Sequence, residues 1–190
     1  MVRRIAVVCV LATQAFGAQI ASAATKQDTR KHGSKGSCVG ADSPPVDEAT
    51  RRQASRVVLC LVNRERRARQ LPPLRRSRPL AKAARRHSAD MVGRKYFSHF
   101  SSGGDVRRRA IRSGYVRRSR RALLGETLAW GAGSTASPQG LVALFMSSSP
   151  HRRTLLSRRY RDLGVGLALG APASDVDGSA TTLTIAFGRR

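Results

Sequence analysis

Three residues far apart in the chain have the types that chemistry uses: His99 in YFSHFSSGG, Glu126 in LLGETLAWG and His151 in SSSPHRRTLL. Each lies in a short polar or glycine-bearing break between apolar segments. Separations of 27 and 25 residues mean that only a tertiary fold could bring them together. Two imidazoles and one carboxylate match the ligand count of a zinc site, or that of another divalent metal, with one position left open. Such an ion would polarise a carbonyl or activate water. His99 and His151 are not an i, i+4 helical pair, so loops must set the geometry. No nearby Glu offers itself as a general base. Ser98, Ser101 and Ser148 occupy no nucleophile elbow. Without a metal, the same three groups would bond one another and loop amides, because buried polar groups need partners. Three readings stay open: a structural or recognition cleft, a metal site without turnover, and a hydrolase. No catalytic residue is firmly assigned.

The elements that must position these residues follow an export signal. Arg3 and Arg4 precede a largely apolar stretch, Ile5 to Ile20, and Ala21-Ser22-Ala23 reads as a cleavage site. The apolar stretch is short for a membrane span, and no later segment replaces it. Residues 1–23 are therefore expected to leave, and the protein to be secreted. Cys9 would go with the signal. Cys38 and Cys60 then remain, and an oxidising compartment lets them pair. By loop entropy such a bridge is worth about 3 kcal/mol. It would tether the polar leader, 24–46, to the first helix. With Cys60 paired, no thiol nucleophile is left.

The full chain carries 36 basic and 11 acidic residues, a formal charge of +25. Loss of the signal leaves 34 against 11, mostly arginine. That excess predicts affinity for polyanions, among them anionic cell-envelope components and lipid headgroups. Export argues against genomic DNA. A single Trp among few aromatics gives little platform for stacking single strands.

Residues 47–190 are long enough for one domain with its own core. Residues 47–69 read as an amphipathic helix, with Asp47 and Glu48 at its start and Ala54, Val57, Val58, Leu61 and Val62 at helical spacing. Leu71-Pro72-Pro73 forces an extended stretch. A second helix spans about 77–96, with Leu80, Ala84, His87 and Met91 on one face, so His87 reads as a packing histidine. A short helix covers about 105–113. Ala122 to Trp130 reads as a strand, and Ser137-Pro138 opens a helix that Pro150 ends. Leu163, Val165, Leu167 and Leu169 alternate as a half-buried strand, and Leu183, Ile185 and Phe187 do likewise, with a hairpin turn between them. Helices first and strands last predict an α+β domain.

Six segments in this order resemble the bacterial branch of the CAP superfamily: LVNRERRARQLPPL, LAKAARRHSADMVGRKYFSHFS, GETLAWG, FMSSSPHRRTLL, YRDLGVGLALG and a terminal FG. These are the SCP-like extracellular domains related to cysteine-rich secretory, antigen 5 and plant pathogenesis-related proteins. The resemblance covers roughly residues 55–190. It implies a three-layer α-β-α sandwich with a mainly antiparallel central sheet, and a central cleft lined by His99, Glu126 and His151. It allows a lipid or envelope ligand without selecting one. Several positions depart from the family pattern. Thr127 follows the Glu where Asn is usual, Phe145 replaces Trp, and Ser149-Pro150 precedes the His. The last strand reads Leu183-Thr184-Ile185-Ala186. Ser147 and Ser148 stand where a second cleft carboxylate would be expected. The expectation is therefore an extracellular binding module at the envelope, with a metal-dependent, peptidase-like hydrolase as the competing reading.

Overall fold

A computed structural model describes residues 37–117, 121–176 and 179–190. The signal segment and residues 24–36 of the leader lie outside the described residues.

Helix α1, Glu48–Arg67, starts where Asp47 and Thr50 satisfy each other's exposed amides. The Thr50 N–H donates to Asp47 Oδ1 at 2.7 Å and the Asp47 N–H to Thr50 Oγ1 at 3.0 Å, a reciprocal capping box. Leu71-Pro72-Pro73 carries the chain into a two-residue strand β1, Arg75–Arg76. Ser77 caps α2, Arg78–Arg94, with Pro79 in its first turn. Asp105 caps α3, Val106–Arg112. Strand β2, Leu123–Ala132, leads through a 3-10 turn to α4, Pro138–Ser147. A further helix α5, Ser149–Leu156, follows at once. Pro150 therefore opens a helix rather than simply ending one, because a missing N–H is tolerated in a first turn. Strands β3, Asp162–Leu169, and β4, Ala180–Arg189, complete the domain.

The four strands lie in the order β1-β3-β4-β2. β4 is antiparallel to both β2 and β3, but β1 runs parallel to β3. The sheet is thus mixed, which corrects the expectation of a mainly antiparallel one. Two arginines after a proline pair give no strand signal, so β1 was invisible as a pairing partner. β4 is also buried along nearly its whole length rather than half-buried. It sits between two strands, and its Thr181, Thr182 and Thr184 are as enclosed as its apolar residues.

β3 explains how helices reach both faces of this sheet. Its side chains alternate in direction. Leu163, Val165 and Leu167 join the main core with Val57, Val58 and Leu61 of α1 and Leu141, Val142 and Phe145 of α4. Gly164 and Gly166 face the other way. A Cβ on Gly166 would lie 2.1 Å from the Arg85 nitrogen, and one on Gly164 2.2 Å from that of Ala81. The backbone of α2 therefore rests directly on β3, an approach no side chain would permit. A second apolar cluster, including Leu80, Ala84, Ala110, Tyr115 and Ala186, fills that side.

Cys38 and Cys60 form the expected disulfide. The segment it tethers is also held by the Gln139 N–H, which donates to the Ala41 carbonyl at 2.8 Å. No helix among the described residues is long and apolar enough to cross a membrane.

Candidate functional site

Glu126 lies on β2 opposite Ala186 of β4, and its side chain is only 4 % exposed. A carboxylate so placed must find a cation or strong donors. Arg109 of α3 supplies the cation. Its Nη2 donates to Oε1 and Oε2, both at 2.8 Å, and the guanidinium is as buried as the carboxylate. His99 adds a third bond, Nδ1 to Oε1 at 3.0 Å. A carboxylate only accepts, so Nδ1 carries the proton of this pair, and Nε2 is left as the basic nitrogen of the ring.

Arg109 does more than neutralise Glu126. Nη2 also donates to the His99 carbonyl at 3.0 Å and Nη1 to the Gly104 carbonyl at 2.5 Å. One guanidinium thus ties β2, α3 and the 99–104 loop together. Its place in the run Arg107-Arg108-Arg109 hid it from sequence reasoning. Only the helical phase that buries Ala110 beside it separates it from its neighbours.

His87 is buried on the stripe of α2, as its helical spacing predicts for a packing histidine. It also belongs to the cluster. Its Nε2 donates to the Ser98 carbonyl at 3.0 Å and lies 3.9 Å from Glu126 Oε1, too far for a bond. Nδ1 is enclosed and has no hydrogen-bond partner among the described residues. Burial holds the His87 pKa below the usual imidazole range, the charge of Arg109 pushes the same way, and Glu126 and Asp90 offset part of it. Next to it Tyr96 donates to Asp90, and burial together with that bond pushes the phenol pKa up to about 12.

His151 is placed differently. It lies in the first turn of α5, edge-on to the Phe145 ring with centroids 5.4 Å apart. It has no hydrogen-bond partner among the described residues. Burial lowers its pKa, and the nearby charge of His99 lowers it further. His151 therefore borders the Glu126–His99 pair without joining it. It opens instead onto a hollow of about 270 Å³ lined by Phe97, Leu128, Trp130, Leu144, Phe145 and Ser148. Phe97 and Leu144 of its lining are exposed.

A divalent metal fits this arrangement poorly. Both Glu126 oxygens already answer Arg109, and a dication there would face a buried guanidinium. Among the described residues no three His, Cys, Asp or Glu side chains gather as a metal-holding group. His99 and Glu126 form instead a hydrogen-bonded dyad, with Glu126 buried and His99 half-exposed.

Two outcomes follow from this geometry. Arg109→Met leaves a buried carboxylate without its cation and should cost about 3–5 kcal/mol in urea unfolding, whereas Arg109→Met/Glu126→Leu should recover much of the loss. If the double variant were as unstable as the single one, the ion pair would not be what Arg109 contributes. The second outcome concerns pH. His87 and His151 are both depressed in the folded state, so below about pH 6.5 the unfolded chain binds more protons than the folded one. Their contribution to stability is present above that value and is lost as pH falls below it. Urea unfolding between about pH 7.5 and 5 should show this decline, with a shallower slope in His151→Asn.

The comparisons agree with this architecture. The family model for CAP, the cysteine-rich secretory protein family, matches residues 59–184. An extracellular protein containing an SCP domain from Bacillus anthracis str. Ames is similar at 27 % identity and a TM-score of 0.61, covering 78 % of this chain and 45 % of that one. An outer surface protein from Borrelia burgdorferi has the same fold at 17 % identity and a TM-score of 0.60, covering 76 % of this chain and 96 % of that one. A cysteine-rich secretory protein from Staphylococcus aureus subsp. aureus Mu50 gives 17 % and 0.52, covering 77 % and 41 %. The chain thus spans less than half the length of the Bacillus and Staphylococcus proteins. No curated protein matches. A family match over 59–184, on a fold shared with these bacterial proteins, makes the chain a member of the CAP, or cysteine-rich secretory protein, family.

Proposed function

We propose that the chain is a secreted CAP-domain binding module of the cell exterior, built as a three-layer α-β-α sandwich. Its recognition surface is the apolar hollow at His151, lined in part by Leu128 and Trp130 of the strand that carries Glu126. Helices on both faces of β3 support the layering, and the extracellular or outer-surface character of the Bacillus and Borrelia proteins supports the location. One observation carries the functional reading: Arg109 occupies both oxygens of Glu126, while the hollow beside it stays open and apolar. A closed ion pair holds loops. An open apolar pocket with a neutral imidazole on its rim takes an apolar group that carries one polar atom, as a lipid does. The His99–Glu126 dyad is the feature that would serve a hydrolase, and that second reading requires a metal to displace Arg109.

Trp130 lines the hollow and is the only tryptophan of the chain, so it reports directly on occupancy. Titration of the mature domain with palmitate should shift Trp130 emission saturably to the blue. Leu144→Asp, at an exposed position of the lining, should abolish the shift. Unchanged Trp130 emission would remove the lipid reading. In parallel, one-site zinc uptake lost in both His99→Ala and His151→Ala would carry the hydrolase reading instead.

A further inference from the structure

A second surface shares no residue with either side of the Glu126 cluster. α1 and α2 flank β3 from opposite sides, and beyond β1 the outer edge of β3 carries no further strand among the described residues. An open groove of about 570 Å³ lies there, with Val165 of β3 in its lining. Arg52 and Arg56 of α1 stand on it one helical turn apart. Arg78, Lys82 and Arg85 of α2 stand on it at i, i+4 and i+7, and Arg76 of β1 lies between the helices in sequence. Residues at that spacing share one helix face, with side chains about 5–6 Å apart.

The groove has a single carboxylate, Glu48, and it is already answered. Arg51 bonds it through Nε at 2.7 Å and Nη2 at 2.5 Å, and Arg52 stands 3.5 Å away. Arg56, Arg76, Arg78, Lys82 and Arg85 are exposed and none forms an ion pair within 4 Å among the described residues, although the charge of Arg85 reaches Glu48 at longer range. Like charges at i, i+4 repel and weaken a helix. Protection of a bare sheet edge accounts for Arg76. It does not account for matched stripes on two helices.

We propose that this groove seats a linear polyanion with one anionic group per repeat, a phosphodiester or uronate polymer of the cell envelope. Charge complementarity along two regular stripes selects a chain of spaced anions, and the concave shape fits a strand better than a flat bilayer. Guanidinium forks pair with phosphate and carboxylate alike. The choice of an envelope polymer rests on the extracellular reading above; the charge of the groove does not.

The test uses the mature domain with long-chain polyphosphate, polygalacturonate and polyglutamate as probes, over a salt series. Polyphosphate or polygalacturonate should bind with a salt-dependent affinity, and the tighter of the two names the anion. Arg56→Gln/Lys82→Gln/Arg85→Gln should weaken that binding at least about tenfold and flatten the log–log salt slope by about 2. Arg67→Gln/Arg153→Gln/Arg159→Gln removes the same charge outside the groove and should change affinity less than about threefold. Equal losses in the two variants would overturn the proposal, as would no binding at low salt. Polyglutamate binding tighter than both other polymers would overturn it in favour of an acidic peptide. Leu144→Asp should leave polymer binding intact, so failure of the lipid reading and failure of the groove are seen separately.

Discussion

A buried carboxylate is the constraint around which one side of this domain is arranged. Glu126 points out of a strand into an enclosed space, where an unpaired charge would cost several kcal/mol. The cation that answers it comes from α3, so α3 cannot move independently of β2. The same guanidinium collects the carbonyls of His99 and Gly104. The loop that carries His99 is therefore fixed by Arg109 as much as by its own sequence. His99 and His87 then fill the remaining space around Oε1 at 3.0 and 3.9 Å. Polar groups that look like a ligand set are, in this arrangement, largely engaged with one another.

The arginines show why net charge alone says little about partners. Arg66 is fully buried. Its Nε and Nη1 gather the carbonyls of Pro72, Leu155 and Ser157, and burial lowers its pKa, with Arg161 and Arg158 adding to the effect. Arg51 is nearly as buried, binding Glu48 and reaching the Leu167 carbonyl at 3.3 Å. Arg109 holds the cleft. A planar fork with five donors suits this work, since it can satisfy several carbonyls at once. Such arginines are part of the fold. What remains for partners is the subset that is exposed and unanswered, and its distribution carries the information.

Most elements were legible because their signals are local. Asp47, Ser77 and Asp105 each mark a helix start, and alternation in 163–169 and 183–187 marks β3 and β4. The pairing of Cys38 with Cys60 followed from the expectation that Cys9 leaves with the signal, which leaves one intramolecular choice. What escaped depended on contacts between distant segments. β1 is a strand only because β3 lies beside it. β4 is buried on both faces because it is central, which alternation cannot report. Arg109 looks like its two neighbours until α3 is docked against β2. His87 fits a packing stripe and an electrostatic cluster equally well, because α2 turns the same face to both. The resemblance located His99, Glu126 and His151 in one region; it could not show that a guanidinium would stand among them.

That guanidinium also bears on what the Glu126 cluster can hold. A divalent ion binding His99 and Glu126 would have to share both oxygens with a cation held by two further carbonyl bonds. Displacing Arg109 would release the 99–104 loop that positions His99, so the metal would dismantle part of its own site. Binding chemistry at His151 meets no such conflict. Burial holds the pKa of the ring low, the ring stacks edge-on against Phe145, and among the described residues it makes no hydrogen bond to the cluster. An apolar ligand can enter there with the clasp shut. On the proposed reading, Arg109 holds β2, whose Leu128 and Trp130 line the hollow, and a fixed lining lowers the ordering cost of binding.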